Sequence, residues 1–138
     1  MEGLGVAASV IAVVDISAKV VSLCSQYAKG VKSAKPEIDR LAKEIMNLRT
    51  ALESVSRLLS TYRELESSQQ LGAGIEDSRS RLEDLQAKLE PRQGHKVMSR
   101  VGLRALKWPF QSREINRIIE ELARCTQAIS LALQVDQM

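Results

Sequence analysis

Ile38, Leu41, Ile45, Leu48, Leu52, Val55, Leu59 and Tyr62 follow one another at steps of 3, 4, 3, 4, 3, 4 and 3. Such spacing places every one of them on one side of an α-helix and on no single face of a strand. Sustained for this length, it is an a/d seam. Pro36 suits a first helical turn, where its missing N–H removes no bond, and Glu37 and Asp39 favour the positive end of the helix dipole. The spacing predicts a long helix over residues 35–67, roughly 48 Å at a rise of about 1.5 Å per residue. A buried seam needs a cover. A second copy in a dimeric coiled coil would supply one, and so would other helices of the same chain. The intramolecular cover is favoured because further amphipathic segments are at hand.

Those segments lie on either side. Val6, Val10, Val13, Ser17, Val20, Cys24 and Tyr27 recur at helical spacing, predicting a first helix over residues 4–29 that stops near Gly30. Gly72-Ala73-Gly74 reads as a break. A third helix over residues 75–90 follows, with Ile75, Leu82, Leu85 and Leu89 as a thin stripe and Pro91 as its stop. The thin stripe predicts an exposed and weakly held helix. Gly94 and Gly102 then interrupt a basic connector in which a short helix over residues 97–106 has room to form. Trp108-Pro109-Phe110 must leave helical geometry around Pro109. Ser112 is a suitable N-cap for a last helix over residues 112–135, striped by Ile115, Ile118, Ile119, Leu122, Cys125, Ile129 and Leu133.

The fold class is therefore all-α: a four-to-five-helix bundle with a long second helix and a basic connector before the last one. Residues 1–138 form a single domain. It divides into an apolar N-terminal helix (1–30), the long and third helices (31–90), the connector (91–111) and the last helix (112–138). The expected core comprises Ile38, Leu41, Ile45, Leu48, Leu52, Val55, Leu59, Trp108, Phe110, Ile118 and Leu122. A chain of 138 residues buries enough apolar surface to fold without disulfides or metals.

Composition narrows the function by exclusion. Aromatic residues are 3% of the chain, too few for a platform that stacks single-stranded bases. The net charge of +3 is a weak excess, no recognition motif accompanies the basic stretch, and the third helix carries an acidic excess that would repel a duplex, so nucleic acid is not an expected partner. Cys24 and Cys125 form no CxxC motif, and His95 is the only histidine. Two buried thiols in a reducing compartment are expected, in preference to a disulfide, and no metal site. No phosphate loop, HExxH or G-x-S-x-G motif occurs. Neither a catalytic site nor a cofactor is expected. Glu2 stands where a signal peptide would carry a basic residue, and the uncharged run over residues 3–14 falls short of the roughly 20 residues of a spanning helix. A cytoplasmic protein is expected at rest.

Two features invite a function. The first is the N-terminal segment. An ordinary core helix needs one apolar stripe, and a buried first helix is the plain reading at rest. Yet residues 4–14 are apolar on every side. Such a helix is either fully enclosed or suited to another apolar solvent. Extended to Ala28 it is long enough to cross a bilayer, and Asp15 and Lys19, four apart, can pair to soften the cost of entry. The candidate insertion residues are Gly3, Leu4, Val6, Ala7, Val10, Ile11, Val13 and Val14. The second feature is the connector. Arg92, Lys96, Arg100, Arg104, Lys107 and Arg113 are accompanied by no acidic residue. A solvated loop with Trp108 and Phe110 as core plugs is the plain reading. Contact of Arg92, Lys96, Arg100, Arg104 and Lys107 with anionic lipid headgroups is the functional one.

The opening GLGVAASVIAVVDISAKVVSLCSQYAKGVKSAKPEIDRLAKEIMNLRTALESV, the later LKWPF and the closing ISLALQVD together resemble the HeLo-like N-terminal domains of fungal STAND (NLR-like) immune receptors. That family is related to the HeLo domain and similar to the four-helix bundle of the mixed-lineage kinase-like necroptosis executioner. The resemblance spans nearly the whole chain. It implies a cell-death effector that self-assembles, exposes its N-terminal helix, moves from the cytoplasm to the plasma membrane and permeabilises it. It also implies a STAND/NLR-like or amyloid-motif signalling partner or fused region. Neither a nucleotide-binding domain nor an amyloid motif occurs in residues 1–138, so the chain is expected to be an excised domain or a short stand-alone protein. An adaptor bundle that binds another bundle without touching lipid is the alternative.

The seam carries a direct prediction. Leu48→Asp places a charge without a partner at its centre, so cooperative thermal unfolding should disappear. An unchanged circular dichroism melt would contradict the bundle.

Overall fold

The computed structural model describes residues 2–61, 69–90 and 108–137. Among them are four α-helices and no strand: α1 (Glu2–Gly30), α2 (Lys35–Leu59), α3 (Gln69–Leu89) and α4 (Ser112–Gln137), with a 3₁₀ turn (Lys32–Ala34) between the first two. The all-α expectation is met. The second helix is long, at 25 residues, and α1 is longer still at 29.

Helix α2 forms where the seam placed it. Pro36 sits in its first turn with Glu37, and Ile38, Leu41, Ile45, Leu48, Leu52 and Val55 are buried. The helix stops at Leu59, where the Thr61 amide bonds the Leu58 carbonyl at 3.0 Å in a closing turn. It is thus shorter than the run to residue 67 that the periodicity suggested; Tyr62 and the rest of that run lie outside the described residues. Leu59 is half-buried at the edge of the core because the helix ends there.

Helix α3 departs most from expectation. It begins at Gln69 and runs straight through Gly72-Ala73-Gly74. Its stripe continues backwards from Ile75 to Leu71, and Leu71, Ile75, Leu82, Leu85 and Leu89 are all buried. The helix is consequently no exposed appendage. Two interior glycines weaken a helix by roughly 1 kcal/mol each relative to alanine. Gly74 has a compensating use: a Cβ there would lie 3.3 Å from Ile129 Cγ1 on α4, so the missing side chain lets the two helices close up. Ser78 fills the stripe between Ile75 and Leu82, its hydroxyl satisfied by the Gly74 carbonyl at 2.8 Å.

The packing is a ring in which α1 touches α2 and α3, and α4 touches α2 and α3. Helices α1 and α4 therefore lie on one diagonal, and α2 and α3 on the other. Polar contacts give the directions. Ser9 bonds Glu76 at 2.9 Å and Tyr27 bonds the Leu89 carbonyl at 2.9 Å, so α1 and α3 run parallel. Ser112 bonds Glu37, and Arg40 bonds Asn116 at 2.6 Å, so α2 and α4 run parallel. Arg81 meets Glu121 at 2.6 Å and Lys88 meets Glu114 at 3.4 Å, which makes α3 and α4 antiparallel. The centre is aliphatic, with Leu41, Ile45, Leu48, Leu52, Leu71, Ile75, Leu82, Ile115, Leu122 and Ile129 fully enclosed. Of the expected core, Trp108 and Ile118 are half-buried and pack against its margin, because each lies at the side of a stripe or at its end.

The two helical glycines should answer differently to an added methyl group. Gly72→Ala meets no atom within 4 Å, so it should raise stability by roughly 0.5–1 kcal/mol. Gly74→Ala must displace Ile129 and should gain less or lose. Calorimetric melts of the two variants check this, and equal stabilisation by both would exclude the close approach.

Candidate functional site

Helix α1 has an inner and an outer face, and both are apolar in its first half. On the inner face Val6, Val10, Val13, Ser17, Val20, Cys24 and Tyr27 are all buried, the same seven that the spacing singled out. Ser17, buried among them, donates to the Val14 carbonyl at 2.7 Å, so its hydroxyl costs the core nothing unsatisfied. On the outer face Gly5, Ala8 and Ile11 are exposed, with Ala7 and Val14 half-buried at the edges. Ile11 is 69% exposed. No charged side chain occurs between Gly5 and Val14. Charge begins at Asp15, which pairs with Lys19 at 3.8 Å on the exposed surface, the i,i+4 contact the sequence suggested. The stretch Gly5–Gly30 is long and apolar enough to cross a membrane, and 28% of its most apolar window is buried in the bundle.

The structure thus divides the candidate insertion residues. Val6, Val10 and Val13 serve the core, Ala7 and Val14 border it, and Ile11 faces outward. Gly3 and Leu4 belong to α1, but their side chains lie outside the described residues. The candidate lipid contacts Arg92, Lys96, Arg100, Arg104 and Lys107, with the short helix expected over residues 97–106, also lie outside them. Arg113 is exposed at the start of α4.

The far end of α1 is braced by aromatic rings. The Tyr27 hydroxyl donates to the Leu89 carbonyl, and its ring meets Trp108 edge-on at 5.4 Å between centroids. Trp108 in turn meets Phe110 edge-on at 5.2 Å, and Lys88 Nζ stands 5.8 Å over the Phe110 ring. Edge-to-face pairs at this separation add about 0.5–1.5 kcal/mol beyond the area they bury. The chain leaves α3 and returns at Trp108 beside the same tyrosine. Both described ends of the basic connector are therefore tied to the C-terminal end of α1.

A feature the sequence reading missed lies at that end. A cleft of about 620 Å³ opens between α1 and α2, floored by Val21, Cys24, Ala28, Ile38 and Ala42 and edged by Lys29, Lys32 and Lys35. Its signal was present: small residues at Cys24, Ser25, Ala28 and Ala42 leave a gap between helices, and the lysines cluster across the turn. Only the pairing of α1 with α2 brings them together.

Among the described residues no group of three or more His, Cys, Asp or Glu side chains is placed to hold a metal. Both cysteines are free and buried. Burial pushes the Cys24 thiol from an ordinary 9.0 up to about 12. Burial also raises the Cys125 thiol, which donates to Asp77 Oδ2 at 3.3 Å.

The fold and this surface define, among the described residues, a four-helix bundle whose first helix is apolar outside as well as in over its first half. The chain belongs to the family described as pigment biosynthesis cluster protein PigL N-terminal, whose model matches residues 1–138. No curated protein matches the chain, and no solved structure does.

The raised Cys24 thiol makes stability depend on pH. Between about pH 9 and about pH 12 the folded chain keeps a proton that the unfolded chain releases, so stability falls as pH rises through that window. Cys24→Ala should be less stable at neutral pH and should show a shallower decline above pH 9. Urea melts at pH 7, 9 and 10.5 compare the slopes, and parallel slopes would contradict a protonated Cys24.

Proposed function

We propose that this domain is a membrane-targeting effector, in which α1 leaves the bundle, inserts into an anionic bilayer and, in a self-assembled oligomer, permeabilises it. The observation that carries the reading is the uncharged outer face of α1 around Ile11. The inner face of α1 is accounted for by the core; the outer face needs another partner, and an apolar helix without one suits lipid. Gly5, Ala8 and Ala12 on or near that face allow close helix–helix approach in an oligomer. The length of the Gly5–Gly30 stretch supports crossing. Helix α1 packs on α2 and α3 and lies diagonal to α4, so its departure leaves the α2–α4 and α3–α4 contacts in place. The described residues on either side of the basic connector lie at the Tyr27 end, and Arg92, Lys96, Arg100, Arg104 and Lys107 are the proposed contacts for anionic headgroups. The likeness to HeLo-like domains supports the same reading and adds its context: a cytoplasmic resting form, relocation to the plasma membrane, and a STAND/NLR-like or amyloid-motif partner. The family description names an N-terminal region and no reaction.

An adaptor that docks another helical protein is the second reading, favoured by the exposure of Met46 and Leu131 on the other helices as well as Ile11. The burial pattern supplies the discriminating substitution. Val10 is buried, so a glutamate there would test folding; Ile11 is exposed, so Ile11→Glu should leave the melt nearly unchanged. A charge at the centre of an inserted helix costs roughly 2.5–3.5 kcal/mol, and at Ile11, nearer the start of the Gly5–Gly30 stretch, less, but still about tenfold in inserted population. Ile11→Glu should therefore strongly reduce dye release from phosphatidylserine-containing liposomes under forced oligomerisation. Undiminished release by the folded variant would refute insertion and leave the adaptor reading ahead.

A further inference from the structure

The cleft between α1 and α2 is separate from the outer face of α1 near Ile11 and backs onto the core through Cys24 and Ile38. Its volume of about 620 Å³ falls within the range of small-molecule sites, about 300–1,000 Å³. Its two walls differ in chemistry. The floor of Val21, Cys24, Ala28, Ile38 and Ala42 offers aliphatic carbon and one thiol kept neutral by burial. The rim carries Lys29, Lys32 and Lys35 at the helix–helix junction, together with one carboxylate, Asp39. Lys35 is engaged by Asp39 at 2.8 Å. Lys29 and Lys32 have no ion-pair partner among the described residues. Lys29 also stands in the last turn of α1, where the helix dipole alone would favour a cation. The cleft therefore pairs an apolar trough with two free ammonium groups at one mouth.

We propose that this cleft binds a single-chain anionic amphiphile of the lysophosphatidate kind, its acyl chain along the Val21–Ala28–Ala42 floor and its phosphate between Lys29 and Lys32. Charge complementarity selects the head: two unpaired lysines favour a phosphate over a zwitterionic or neutral group. The floor selects the tail, since a polar ligand filling the trough would leave its own polar groups without partners. The volume of about 620 Å³, ordinary for a small-molecule site, suits one acyl chain.

The test uses the whole chain and oleoyl lysophosphatidic acid below its critical micelle concentration, titrated by isothermal calorimetry. One-to-one binding is expected, with at least tenfold weaker binding of oleoyl lysophosphatidylcholine and none of glycerol 3-phosphate. Lys29→Ser/Lys32→Ser, which alters exposed groups only, should weaken lysophosphatidate binding at least tenfold with an unchanged melt. Ser25→Trp, an exposed lining position, should block the trough; if it does not fold, the lysine pair carries the test alone. Equal binding of the two lysolipids, or undiminished binding by the lysine variant, overturns the proposal. Binding to anionic vesicles but not to monomeric lysolipid also overturns it. Insertion of α1 stands or falls separately, since Ile11→Glu should leave this cleft intact.

Discussion

Burial of the α2 seam sets the terms for everything else in this bundle. Ile38, Leu41, Ile45, Leu48, Leu52 and Val55 are fully enclosed along 25 residues of helix, and each contributes roughly 1.5–3 kcal/mol only if another element excludes water from it. Helices α1 and α4 do so from either side, while α3 closes the ring against both without packing substantially on α2. The aliphatic character of the stripes makes this arrangement possible. Leucine, isoleucine and valine interdigitate without polar atoms to satisfy, and the two buried serines turn their hydroxyls back to their own helices.

The ring leaves α1 in an unusual position. Its inner face is as buried as that of any other helix, yet its outer face in the first half has no charged residue to keep it in water. The other helices bear charged outer surfaces, with pairs such as Arg49–Glu53, Arg79–Glu83 and Arg81–Asp77 along them. Isolated pairs of this kind add little stability, but they fix which face meets solvent. Helix α1 is therefore held by its core contacts, by Ser9–Glu76 and by the Tyr27 brace, and it is the one whose composition tolerates a second environment. Val6, Val10 and Val13 hold the helix in the bundle, and under the proposed insertion the same three valines would meet lipid outside it.

The opposite end concentrates the aromatic and cationic side chains. Tyr27, Trp108 and Phe110 tie together α1, the end of α3 and the start of α4, and Lys29, Lys32, Lys35 and Lys88 gather around the same end. Negative charge on a ligand is attracted to that end, away from the uncharged face near Ile11.

Helix identity and the buried faces were legible in the sequence because they depend on period alone. The α2 seam, the seven-residue stripe of α1 and the Ile115-to-Leu133 stripe of α4 reappear almost residue for residue. What period could not convey was contact between helices. Gly72-Ala73-Gly74 reads as a break by local propensity, and only the approach of Ile129 to Gly74 gives the chain a reason to stay helical there. Leu71 joins the core for the same reason. Likewise, period put Val10 in the stripe and Ile11 outside it, but Ile11 is as apolar as Val10, and only the placement of α1 against α2 and α3 leaves its face uncovered. The cleft edged by Lys29 and Lys32 is a property of two helices together, since its gap arises from small side chains on both and exists in neither alone. Local chemistry determined which segments coil and which faces seek cover; the packing of one helix on another decided what each face meets.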